Sequence, residues 1–182
     1  MPILELEPSI FPDGLFTDPS LNADWWAVYT KARQEKSLAR ELLAAEQPFY
    51  LPLVARRQII RGRPVLSHLP LFPGYLFVAG DQESRLVTLK TNRAVCILPV
   101  PDAEALVYQL SDIRRLLESG IDIVREPVLV PGRRVRICHG PLMGMEGTIV
   151  QRQGIERFIV SVDSLQQGAS VEMTSAYLDD VA

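Results

Sequence analysis

Catalysis draws on a short menu of side chains, and in this chain of 182 residues that menu is nearly empty. Neither of its two histidines, His68 and His139, has an acid and a nucleophile close by in sequence. Cys138 and His139 are consecutive, so on a strand their side chains leave opposite faces and share no metal. Cys96 reads as a small core residue. The loop from Gly140 to Gly147 lacks the Lys-Ser/Thr ending of a phosphate-cradling loop. No enzyme, metal site or cofactor is therefore expected. The chemistry that remains is recognition, by aromatic rings (Trp26, Tyr29, Phe72, Tyr75, Phe77) and by arginines and lysines between them.

The net charge of −3 conceals how those charges are distributed. Residues 1–24 hold five acids and no base, whereas residues 25–98 hold eleven bases against five acids. Residues 99–128 sum to −3 and residues 129–182 to −1. One basic block thus sits in an otherwise acidic chain, a pattern that suits either a polyanion or an ordinary solvated surface. An apolar fraction of 47% supports packed cores and excludes wholesale disorder. No apolar run nears the roughly 18–20 residues that span a bilayer, and the acidic start is unlike a secretory signal. Two cysteines do not make a disulfide framework, so a cytoplasmic protein with reduced thiols is expected.

The elements that must hold the rings and charges are legible from pattern. Four prolines in the first 22 residues and no periodicity predict an irregular acidic tail over 1–23. Trp25–Tyr29 predicts a strand, and Leu38, Leu42 and Ala45 mark one stripe of a helix from Lys31 to Glu46 that Pro48 ends. Phe49–Ile60 and Val65–His68 flank Arg61-Gly62-Arg63-Pro64 as a long hairpin with a basic tip. Tyr75–Ala79 and Ala94–Leu98 predict two more strands, with a short helix capped by Asp81 between them. Leu106, Leu110, Ile113 and Leu117 make the apolar face of a longer helix that stops at Gly120. This first domain, 24–119, is α+β: an antiparallel sheet with flanking helices. A linker is expected over 120–129, and short glycine-broken strands over 130–182 predict a small β-barrel.

Two motifs carry a resemblance. Pro131-Gly132-x-x-Val135-x-Ile137-x-x-Gly140-Pro141-Leu142-x-Gly144-Met145-Glu146-Gly147-Thr148-Ile149-Val150 resembles the KOW motif of SH3-like barrels. Trp26-Ala-Val-Tyr29, then a helix, a hairpin and Leu71-Phe-Pro-Gly-Tyr-Leu-Phe-Val78, resembles the N-terminal domain of NusG-family transcription elongation factors. The two together span about residues 24–180, and the hairpin is similar to those of specialised RfaH-like paralogues.

The resemblance implies a monomer that binds the clamp helices of RNA polymerase through Tyr29, Phe72, Tyr75, Phe77 and Leu98. Arg85 and Thr88 would reach the opposite side of the cleft. Lys31, Arg33, Gln34, Asn92 and Arg93 would touch displaced DNA, and Arg61 and Arg63 the upstream duplex. The loop residues Leu142, Met143 and Met145 would contact the ribosomal protein NusE or the terminator Rho. The effect would be suppression of pausing or termination. The other function class is a ribosome-associated KOW protein that binds rRNA, against which the −1 charge of residues 129–182 counts.

Overall fold

A computed structural model describes residues 6–21 and 23–181 and divides the chain into two compact units, 1–103 and 104–182. Expectations for residues 1–5 and 22 lie outside the described residues.

In the first unit, five strands form one antiparallel sheet in the order β1 (Ile10–Phe11), β3 (Phe49–Tyr50), β6 (Tyr75–Ala79), β2 (Trp25–Thr30), β7 (Ala94–Pro99). Alternation along the central strands decides its two faces. Trp26, Val28, Leu76, Val78 and Ile97 turn to one side and bury against Leu38, Ala39 and Leu42 of helix α1 (Glu35–Ala44). Trp25, Ala27, Tyr29, Tyr75, Phe77 and Leu98 take the other side, with Ala27 paired between Phe77 and Leu98 and Tyr29 between Tyr75 and Cys96. Helix α2 (Gln82–Lys90) starts at Asp81, whose carboxylate accepts from the Glu83 and Ser84 amides. α1 begins later than the periodicity suggests, because Arg33 holds a φ of 60° and breaks the helical path before Glu35.

β4 (Leu53–Ile60) and β5 (Arg63–Pro70) form a separate two-stranded ribbon. Its turn is shorter than expected: Arg61 and Gly62 both take positive φ, as a two-residue hairpin loop requires, and Pro64 already pairs with Ile59.

Most of the acidic arm is irregular in path, as its prolines suggest, yet it is anchored to the sheet. β1 pairs with β3, Leu15 is buried, and the Phe16 ring lies 6.1 Å from Trp25 and 5.1 Å from Tyr50. Glu7 also pairs with Arg40 of α1 at 2.7 Å. Two strand residues and three anchoring side chains are too few to show as a period in sequence.

The second unit holds helix α3 (Ala103–Glu118) and a six-stranded antiparallel sheet. The order is β13 (Leu178–Asp180), β9 (Arg133–Ile137), β10 (Glu146–Arg152), β11 (Ile155–Val162), β12 (Gln167–Glu172), β8 (Val124–Glu126). β13 and β8 are its two edges among the described residues, so the β-rich domain expected here is present and its strands do not close into a complete ring. β8 falls within the stretch expected as a linker. Its Glu126 is buried, accepting from Arg152 at 2.6 Å and from Ser170 at 2.6 Å. α3 is tied to this sheet's loops by Gln109, which exchanges two hydrogen bonds with Asp163, and by Arg115, which donates to the Met143 carbonyl.

Candidate functional site

The sheet face opposite α1 is closed at one end and open at the other. At the closed end Trp25 and Phe77 are all but fully buried, and so is Phe72 in the turn that precedes Tyr75. At the open end Tyr29 is 42% exposed and Leu98 51%. Tyr75 is half-buried, and Cys96 beside Tyr29 is exposed. The Tyr29 and Tyr75 rings lie 5.2 Å apart at a tilt of 44°, a packed pair that holds both phenols on the same surface. Of the five residues expected to meet a partner here, Tyr29, Tyr75 and Leu98 stand on the surface. Phe72 and Phe77 do not: they belong to the core. The reason for Phe77 is register, since it sits between Tyr50 and Ala27 in the middle of the sheet.

The Phe-Pro-Gly-Tyr turn earns its place in this surface through Gly74. Its φ is +87°, and a Cβ there would lie 2.9 Å from the Tyr29 ring. The turn is then bolted to two neighbours. Gly74 donates to the buried Glu35 carboxylate at 2.6 Å, and its carbonyl accepts from Thr30 at 2.7 Å.

Immediately beyond Tyr29 the chain turns polar. The Lys31 amide donates to the Arg93 carbonyl at 2.8 Å, joining the loop after β2 to the loop before β7. Lys31 Nζ donates to Asn92 Oδ1 at 3.0 Å, while Arg93 donates to Gln34 Oε1 and ion-pairs with Glu41. Lys31, Gln34, Asn92 and Arg93, distant in sequence, thus form one hydrogen-bonded corner, with Arg33 exposed beside it. Glu41 is the member that charge reading missed. Its i, i+7 spacing from Gln34 along α1 is the signal that could have found it.

Arg85 lies with its guanidinium carbon 5.7 Å from the centroid of the Trp26 ring, a cation–π contact that occupies one face of it. Thr88, expected as a surface contact, is instead fully buried and donates to the Ser84 carbonyl at 2.9 Å. On an amphipathic helix the i, i+4 pair Ser84 and Thr88 marks the inner face, which the polar residue types disguised. Arg61 and Arg63 are exposed at the ribbon tip, beside Ile59 at 80% exposure.

In the second unit the expected apolar patch is reduced to one residue. Leu142 and Met145 are buried and Met143 is 62% exposed. Gly140 and Gly144 take positive φ, and the Gly144 amide donates to Ile137 at 2.7 Å. The loop therefore folds back on its own strand and turns two of its three large side chains inward. Among the described residues no cluster of three or more His, Cys, Asp or Glu could hold a metal ion.

Residues 23–137 match the family model described as NusG, transcription termination factor nusG. The match starts just before β2, leaving the arm outside it, and ends with β9. Among solved structures, the chain is similar to one described as a crystal structure of the MjSpt4:Spt5 complex in conformation B. The identity is 17%, with 87% of this chain and 97% of that chain covered and a TM-score of 0.27.

Proposed function

This chain belongs to the NusG family of transcription elongation factors, and from that membership we propose that its first unit docks on RNA polymerase through Tyr29, Tyr75 and Leu98. The observation that carries the reading is the uncovered end of the sheet face, where these three side chains meet solvent next to a polar, basic corner. Coiled-coil clamp helices offer the elongated apolar surface such a strip fits.

Magnitudes decide what else must contribute. Full burial of three such side chains yields about 1.5–3 kcal/mol each, and these are already about half covered, leaving roughly 2–4 kcal/mol. Association costs of about 4–15 kcal/mol exceed that. Lys31, Arg33, Asn92 and Arg93 supply further contacts, to the displaced DNA strand, and Arg61 and Arg63 on the ribbon reach upstream duplex. Contacts of this kind add affinity without much sequence dependence. Binding that favours the closed, active polymerase over the paused one suppresses pausing or termination without any covalent step. Met143 is the side chain of the second unit's loop available to a partner such as NusE or Rho.

Gel filtration with core polymerase and, separately, with ribosomes tests the reading. The wild type should co-elute with polymerase, and the Tyr29→Ala/Leu98→Ala variant, altered only at exposed positions, should not. Co-elution with ribosomes alone would favour the rRNA-binding reading, and unchanged co-elution of the variant would remove the strip from the interface.

A further inference from the structure

The corner formed by Lys31, Gln34, Asn92 and Arg93 already contains an anion. We infer that Glu41 is an internal competitor for the phosphate that Arg93 would take, and so sets how tightly this corner holds nucleic acid. The inference rests on the nucleic-acid reading of the corner and adds a residue to it.

The geometry is specific. Arg93 spends Nε on the Glu41 carboxylate and Nη1 on the Gln34 amide oxygen, which leaves Nη2 as the arm of the guanidinium fork still unassigned. A phosphate can take two parallel N–H bonds from arginine, the arrangement that makes this side chain its preferred partner. Here the Nε edge is held by a carboxylate and the Nη1 edge by a neutral amide oxygen, so a phosphate taking two bonds must displace Glu41 or Gln34, and Glu41 is the one of the two whose charge competes with it. The displacement is feasible because both side chains are open to solvent, Arg93 at 33% and Glu41 at 39%. An exposed pair of this kind is weak and screened by salt, and exchanges readily for a more highly charged anion. Lys31 differs: its ammonium is held by a neutral amide oxygen, which leaves its full charge available.

Two consequences follow from the position of Glu41. It lies on α1, which the core fixes through Leu38 and Leu42, so the carboxylate cannot move away without a change of its own rotamer. It also offsets one of the corner's charges in the free protein, so non-specific capture of nucleic acid is held down until a strand is presented in the right place. Glu41 is thus a positioning residue, acting through Arg93 and not by touching the strand.

Fluorescence anisotropy with the full chain and a labelled twelve-nucleotide oligothymidylate, across a salt series, tests this. Glu41→Gln keeps the size and the hydrogen-bond acceptor and removes the charge. It should bind about twofold to fivefold more tightly, the worth of an exposed ion pair. Its salt slope should steepen by up to about 0.7, one single-strand phosphate. Adding Arg93→Gln should abolish both gains. If Glu41→Gln matches or falls below the wild type while Lys31→Gln weakens binding, the inference fails and the corner's nucleic-acid role stands. If neither substitution changes binding, both fail. Glu41→Ala, with its melting temperature measured alongside, separates loss of charge from loss of the helix surface.

Discussion

Gly74 shows how one backbone conformation shapes a surface. Alanine there would hold a left-handed φ at a cost of about 1–2 kcal/mol. It would also place a methyl 2.9 Å from the Tyr29 ring and push it off Tyr75. Gly74→Ala is therefore expected to lower thermal stability modestly and to weaken polymerase binding by more than that loss explains, which melting curves and binding isotherms on the same samples would reveal. At this scale the sequence was half legible. Tyr29, Tyr75, Leu98 and the Lys31–Arg93 corner could be nominated from residue type and motif. Which aromatics stay outside depends on what covers each end of the sheet, and so residue type alone does not separate Phe72 and Phe77 from them. Glu41 is not legible in sequence, because an acid in a basic block registers only as one less charge until its partner is known.

Helix α3 illustrates an element whose span along the chain is more legible than its polar residues or the unit it joins. Its apolar face, Leu106, Leu110 and Ile113, is buried as the i, i+4, i+7 spacing requires. The face continues through Leu116 and not through Leu117, the residue that the spacing predicts. Asp112 is buried with it, and burial raises the pKa of its carboxyl above the ordinary range, a push that the Arg115 guanidinium only partly offsets. A raised folded-state pKa means that protonation stabilises the fold. That stability is fully present below the unfolded value near 3.9 and is lost as pH rises through the folded value. Asp112→Asn should therefore be more stable than the wild type at neutral pH, with the difference vanishing toward about pH 3.5. Urea midpoints at the two pH values check it, and a variant less stable at neutral pH would show that the Arg115 pair outweighs burial. Strands and helices longer than five residues were legible from periodicity. β1 and β8 were not, since two or three residues carry no period, and Pro127 next to β8 argued for a linker. Glu126, buried there between Arg152, Arg157 and Ser170, is intelligible only once β8 is paired with β12.

For the whole molecule, the two units divide the properties that the family reading needs. The first concentrates the basic block and the exposed apolar strip, while the second is a slightly acidic sheet with its glycine-rich loop folded inward. Charge counted by segment and the change in strand spacing set the expected boundary at residue 119, with α3 in the first domain, whereas the compact units divide at residue 103, because hydrogen bonds invisible in sequence tie α3 to Asp163 and Met143. The central claim is that the open end of the first unit's sheet is the polymerase-binding surface. The most direct measurement places a photo-crosslinking residue at Leu98 in one preparation, and in another at Leu43, which is 40% exposed on the helix covering the opposite face. Both full-length proteins are irradiated in a reconstituted elongation complex, and the crosslinked peptides are identified by mass spectrometry. Crosslinks from position 98 to the clamp helices, with none from position 43, are the predicted result. Crosslinks to the clamp helices from position 43 and none from position 98 would contradict the account.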